Sequence, residues 1–250
     1  MAQPTRVTTL WNSIVTESMA SCDDADSDYP AGKSYDSQTD NQSRTNDDSG
    51  TKTWTIDLGS GNTALYDTFA IAGHNFTADG TFQIGRSGST SHILETITMT
   101  EDAYIYYWDE PTTERYITFT ASEDTSEDYL YIGVMWAGER LELGANPQIP
   151  IKILDNYNST RVKTPGGQSL GFRNFYTRGY EMTFIVDFFP SMYNALKEMH
   201  DDRGRTKPFF FNLAPQDSND SVFFARTKSF DFNIDGKDAR PGKWGVIEEK

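Results

Sequence analysis

Apolar residues between Thr53 and Trp136 come in short runs that alternate with polar ones. Trp54, Ile56 and Leu58 alternate and stop at Gly59-Ser60-Gly61-Asn62. Phe69 to Ala72 is a short apolar run ending at Gly73-His74-Asn75, and Phe82 and Ile84 alternate before Gly85-Arg86-Ser87-Gly88. Ile93–Met99, Tyr104–Trp108, Tyr116–Thr120 and Tyr129–Trp136 follow. Turn residues separate these runs at roughly the 8–12-residue spacing of a β-sandwich or jelly roll. Upstream, Leu10, Trp11, Ile14 and Val15 fit an edge strand or a helical turn. Ser21 to Gly50 is rich in Asp, Ser, Asn and Gly and reads as a long loop, of the kind that is usually functional or mobile.

The pattern changes after Leu141–Pro150, a stretch holding Gly144, Pro147 and Pro150 that reads as a linker. Ile151–Leu154 reads as a strand, then a polar loop containing Thr164-Pro165-Gly166-Gly167. Tyr180, Met182, Phe184, Val186 and Phe188 alternate with Glu181, Thr183 and Asp187, a period of two with one buried and one wet face. Ser191–Asp202 is predicted as a helix, with Met192, Leu196 and Met199 on one stripe and Gly204 placed to stop it. Strands resume at Pro208–Leu213, Val222–Ala225, Phe230–Ile234 and Trp244–Ile247. The expected fold is mainly β. An N-terminal jelly roll or sandwich would span 1–145, and a β-barrel-like module with helix 191–202 would span 146–250.

Composition sharpens that division. The 250 residues are 36% hydrophobic and 14% aromatic, enough for real cores. The net charge of −15 is uneven: residues 1–150 hold 7 Lys+Arg against 24 Asp+Glu, and residues 151–250 hold 15 against 13. The acidic half should repel nucleic acid, while the near-neutral half is suited to packing against copies of itself. A single cysteine, Cys22, excludes an intrachain disulfide and a cysteine-built zinc site. The N-terminus has no apolar core of the signal-peptide kind, and no stretch approaches a membrane span of ~20 apolar residues. The expectation is a chain made in a reducing cytoplasm, with the Asn-X-Ser/Thr triplets at Asn41, Asn75, Asn158 and Asn219 unglycosylated.

Catalytic signatures are sparse. His74, His92 and His200 are scattered, and neither a nucleophile elbow nor a phosphate-binding glycine loop occurs. Cys22 precedes Asp23 and Asp24, a setting that raises a thiol pKa. Carboxylate pairs of the glycosidase type cannot be read from 37 acidic residues, whose simplest reading is a solvated acidic surface. The expectation is therefore no enzyme and no catalytic residue. Asp23, Asp24, Asp26 and Asp28 crowd one loop and are candidate Ca²⁺ ligands, though without the EF-hand order. Tyr106, Tyr107 and Trp108 are candidates for a sugar-stacking platform, against the blander reading of core packing. Phe209, Phe210 and Phe211 read as a strand buried on both sides, or as an oligomer interface if one face is left uncovered.

Thr53-Trp54-Thr55-Ile56-Asp57-Leu58-Gly59, followed by Phe69-Ala70-Ile71-Ala72-Gly73-His74-Asn75-Phe76, resembles the galactose-binding-like, discoidin-type jelly roll over about residues 10–143. The wording around Gly73-His74-Asn75 is similar to versions in tailed-bacteriophage structural proteins, with His74 and Asn75 as turn-locking residues. The strand Tyr180–Phe188, the helix, Lys207-Pro208-Phe209-Phe210-Phe211 and Lys243-Trp244-Gly245-Val246-Ile247-Glu248 resemble the barrel modules of phage tail-tube and distal-tail proteins, although here the jelly roll comes first. The resemblance implies a virion tail-tip or baseplate component, made in the host cytoplasm. It would form a homo-oligomeric ring, expected to be a hexamer, and contact tube, hub and fibre proteins. A host-surface glycan is a further candidate partner of the jelly roll. The alternative is a carbohydrate-binding module protein without catalytic activity, acting alone or alongside an enzyme.

Overall fold

The computed structural model describes residues 4, 6–89, 94–99, 102–123, 125, 127–144, 146–154, 156–163, 169–185, 190–215, 222–232 and 241–249. At 156–163, 169–176, 185, 190–192, 222–223 and 241 the description covers the backbone alone. Two units separate. The first is Met1–Leu143 with Phe209–Phe224; the second is Gly144–Pro208 with Ala225–Lys250.

The first unit begins with β1 (Thr8–Leu10), β2 (Ala20–Cys22), β3 (Ser43–Arg44), β4 (Lys52–Asp57) and β5 (Tyr66–His74). It continues with β6 (Thr81–Ser87), β7 (Glu95–Ile97), β8 (Ala103–Thr112), β9 (Tyr116–Ser122), β10 (Tyr131–Gly138) and β11 (Leu141–Glu142). One sheet has the order β2-β4-β9-β6-β7 and another β3-β10-β5-β8. All their pairings are antiparallel, for example Trp54 opposite Phe119 and Phe69 opposite Tyr106. Alternation decides what fills the space between them. Trp54 and Ile56 of β4, Phe82 and Ile84 of β6, and Ile117 and Phe119 of β9 meet Phe69, Ile71, Tyr104, Tyr106 and Trp108 in one core. Phe119 lies 5.9 Å from Trp54 and 6.0 Å from Phe69, centroid to centroid. This is the sandwich that the short alternating runs predict.

The four-stranded sheet is covered on its other face as well. Ala70, Ala72, Ala103, Ile105, Tyr107, Val134 and Trp136 form a second cluster with Leu10, Phe210 and Phe224. The alanines leave room for the incoming aromatic rings, and Trp136 meets Phe210 at 5.5 Å and Phe224 at 5.6 Å, both edge-on. β5 is thus buried on both sides, which explains its unbroken apolar run. β16 (Phe209–Asn212) pairs with β1, and β1 also pairs with β11. The segment Phe209–Phe224 therefore joins the first unit because that unit's second apolar face needs covering. A single linker near residue 145 does not anticipate this return of the chain.

The second unit contains β12 (Gln148–Ile153), β13 (Asn156–Lys163), β14 (Ser169–Thr177), β15 (Gly179–Ile185), α1 (Pro190–Arg203) and β18 (Pro241–Glu248). It also takes the larger part of β17 (Val222–Asp231), from Ala225 onward. β12, β15, β18 and β17 are neighbours in one antiparallel sheet. Met182, Phe184, Trp244 and Val246 on it are fully buried. α1 presents buried Leu196 and Met199, and its end is closed by Gly204 at φ +56, whose N–H donates to the His200 carbonyl at 2.7 Å. The expected helix is present and one residue longer at either end; the Met192 side chain lies outside the described residues.

One expectation is corrected here. The stretch after Leu154, read as a polar loop, is the antiparallel hairpin of β13 and β14, with Tyr157 opposite Tyr176. β13 is mostly polar, and in β14 the register shift opposite Asn158/Ser159 breaks the alternation of Leu170 and Phe172 before Phe175, so no regular period of two spans the hairpin. Thr164 to Gly167, Ile93, Val186 to Phe188 and Asn233-Ile234 lie outside the described residues. The mainly β expectation with one helix holds. Among the described residues no strand pair closes the second unit into a barrel.

Candidate functional site

The strand order puts β4, β6 and β10 starting, and β5 and β9 ending, at the same end of the sandwich. Three chain segments meet there: the long loop 23–50, the turn after β5, and residues 123, 125 and 127–130 before β10. The long loop is ordered by its polar residues. Lys52 Nζ donates to Asp24 and Asp47 carboxylates at 2.5 Å each, with the lysine side chain only 8% exposed. Burial works against the Lys52 charge, but the two carboxylates outweigh it and hold its pKa above the ordinary value. The bond to Lys52, aided by Asn46, lowers the Asp24 pKa, and the bond to Lys52, aided by Ser49, brings Asp47 down to about 2. Asp48 accepts the Thr125 N–H at 2.7 Å. The same loop presses on the sheet: a Cβ at Gly133 would lie 2.3 Å from the Thr39 carbonyl oxygen, so only glycine admits this approach.

On that framework sit Tyr29, Arg44, Asn75, Tyr129 and Tyr131. The Arg44 guanidinium carbon lies 3.9 Å from the Tyr29 ring centroid and 5.0 Å from that of Tyr129. Tyr129, in the bend before β10, and Tyr131, the first residue of β10, have centroids 6.2 Å apart. Arg44 Nε donates to Gln42 Oε1 at 3.2 Å, and among the described residues Arg44 has no carboxylate partner. Asn75 fixes the tyrosines: its Oδ1 accepts the Tyr131 N–H at 2.9 Å, and its Nδ2 donates to the Tyr129 carbonyl at 2.7 Å and to Glu127 at 3.2 Å. His74 Nδ1 accepts the Phe76 N–H at 3.2 Å, and its ring stacks on Phe76 at 4.8 Å. Burial raises the Tyr131 phenol pKa, with Glu127 and Asp102 adding to the rise, so the hydroxyl is a proton donor at neutral pH. All of Tyr29, Arg44, Asn75, Tyr129 and Tyr131 are half-buried, leaving part of each to solvent.

The residues singled out from sequence fall elsewhere. Tyr106 and Trp108 point into the core between the sheets and Tyr107 into the second cluster, each at most 6% exposed. The stacking platform is thus corrected: from Ala103 to Trp108 both faces of β8 are covered. Tyr107 instead bonds Thr8 through its hydroxyl at 2.7 Å, and Tyr106 donates to Glu95 at 2.6 Å. Phe209, Phe210 and Phe211 are fully buried, so the uncovered face required for an interface is missing. The four loop aspartates do not converge. Asp23 accepts the Thr53 N–H, Asp24 holds Lys52, and Asp26 accepts the Asp28 N–H. Among the described residues no group of three metal-ligating side chains gathers, there or elsewhere. Burial pushes the Cys22 thiol up to about 12, leaving it a poor nucleophile.

The Trp-X-X-Asp-Leu-Gly stretch has a structural job. Asp57 takes two bonds from Arg115 at 2.6 Å and caps Gly59, which turns at φ +87. Trp54 Nε1 donates to Ser43 Oγ at 3.1 Å. What the sequence reading missed is the grouping of Tyr29 and Arg44 with Tyr129 and Tyr131. A signal existed: Tyr29 and Tyr35 are the aromatic residues, and Lys33 and Arg44 the basic ones, of the polar loop 21–50.

No family model matches the chain, and no curated protein matches it. Solved structures do. The family 32 carbohydrate-binding module of C. perfringens NanJ, in complex with galactose, is 17% identical, with 54% of this chain and 99% of that one covered at a TM-score of 0.41. Chitosan-binding module 1 of a chitosanase/glucanase from Paenibacillus sp. IK-5 is 12% identical, covering 50% and 98% at 0.40. The lectin domain of lectinolysin complexed with Lewis B antigen is 12% identical, covering 51% and 96% at 0.41. Likenesses of this depth identify no ligand for this chain.

Proposed function

We propose that the first unit is a non-catalytic glycan-binding module whose site is the loop end carrying Tyr29, Arg44, Tyr129 and Tyr131. The observation that carries this is Arg44, held between two tyrosine rings and free of any carboxylate partner among the described residues. A sugar offers an apolar C–H face and a rim of adjacent hydroxyls. Tyrosine edges and faces suit the first, and a guanidinium with paired donors suits the second. Asn75 and the Lys52 clasp hold the two loops in place before any ligand arrives, which lowers the ordering cost of binding. A glycan array probed with the intact chain tests the reading. Binding to at least one neutral or amino glycan, lost in Arg44→Ala, supports it; silence across the array refutes it.

A second reading is a structural component of a bacteriophage tail tip or baseplate, a ring in the virion that links the tail tube to host-recognition parts. The resemblance of the strand–helix–strand succession β15, α1, β16 and β18 favours it, as does the apolar strand β12, where Ile149 is 91% and Ile153 65% exposed. Negative-stain microscopy with tail proteins tests it: a chain that joins none of them and forms no ring is not such a part. The two readings are compatible, since a ring can carry a recognition module.

A further inference from the structure

We infer that β12 is the contact through which the second unit of one copy docks on the acidic first unit of another. The large apolar side chains exposed among the described residues are Tyr35, Leu65, Ile149 and Ile153, and the two isoleucines are the most exposed. Both lie on β12, which among the described residues is an edge strand paired with β15 alone. Between Gln148 and Lys152 the pairing slips, so Ile149 and Pro150 stand in a bulge. A bulge and a proline on an edge oppose strand-to-strand addition. The contact therefore rests on side chains: two isoleucine knobs, with the 67%-exposed Lys152 between them.

Charge selects the occupant. The second unit carries 15 Lys+Arg against 11 Asp+Glu, a balance of +4, and the first carries 7 against 26, a balance of −19. Two first units repel each other, and two second units gain nothing electrostatically. A first unit against a second unit gains on both counts. Such a contact joins two different patches and is heterologous, so it builds a closed ring or an open chain of copies. The inference goes beyond glycan binding and supplies a surface for the assembly reading.

The test is mass photometry and sedimentation of the intact chain at micromolar concentration, in low and in high salt. Expected are species above the 28.2 kDa monomer that weaken as salt rises. Ile149→Asp with Ile153→Asp should weaken association at least about tenfold. Their far-UV spectrum and melting temperature should match wild type, because the replaced side chains are exposed. A chain monomeric in low salt, a double variant that still assembles, or association that strengthens with salt would each overturn the inference. Glycan binding by a monomeric chain would leave the glycan reading standing, so the two failures are distinct.

Discussion

Asn75 holds the backbone of Tyr131, accepting its N–H at 2.9 Å, while donating to the Tyr129 carbonyl at 2.7 Å. One turn residue thus sets the height and direction of both site tyrosines. Asn75→Ala leaves the Tyr131 N–H and the Tyr129 carbonyl without this partner and should cost about 1–3 kcal/mol of stability. It should also weaken glycan binding beyond what that loss of folded protein explains. Chemical denaturation alongside a binding titration checks both, and unchanged affinity in Asn75→Ala would remove it from the site.

The Lys52 clasp gives the loop an acid limit. Asp24 and Asp47 have depressed folded pKa values, so their contribution is full above the unfolded carboxylate range near 3.9 and fades as pH falls toward about 2, the value for Asp47. Lys52, with a raised pKa, contributes below its unfolded value and loses that contribution only in strong alkali. Lys52→Met should therefore lower the melting temperature at pH 6 and approach wild type at pH 2. A constant gap between the two proteins from pH 6 to 2 contradicts the clasp.

Cys22 should be slow. With its thiol pushed up to about 12 by burial, disulfide exchange at pH 8 should run at least about tenfold slower than with free cysteine. Denaturant should restore the ordinary rate. A native thiol as fast as free cysteine would show that β2 opens readily.

The returning segment can be tested through Phe210. It is fully buried against Trp136 and Phe224, so Phe210→Ala should cost about 3–5 kcal/mol in urea unfolding of the whole chain. A cost under about 1 kcal/mol would mean that the segment does not belong to that core.

The sandwich was legible because period-two burial writes itself into the chain: Trp54, Ile56, Phe82 and Ile84 are buried as their alternation requires. The helix was legible from Leu196, Met199 and Gly204. The β13–β14 hairpin was not, since β13 is mostly polar and a bulge breaks the alternation of Leu170, Phe172 and Phe175 in β14. The Phe209–Phe211 triplet reads as buried, but its sequence does not show that Trp136 and Leu10 are the destination of Phe210. The site was least legible of all. Tyr29 and Tyr129 are separated by a hundred residues of sequence; the pairing of β3 with β10, which sets Arg44 opposite Tyr131, and the Arg44 N–H donated to the Tyr29 carbonyl bring Arg44 between them. Tyr106, Tyr107 and Trp108 looked like a platform because aromatic density alone does not say whether a second face is covered.

The most direct measurement is a calorimetric titration of the best array glycan into wild type and Arg44→Ala, with melting temperatures taken on the same samples. A sugar bound at the Tyr29–Arg44–Tyr129 end predicts saturable one-to-one binding by wild type and at least about tenfold weaker binding by the variant, measured below the melting temperature of both so that each is fully folded. Equal affinity in the two proteins, or no heat from any array glycan, would contradict the account.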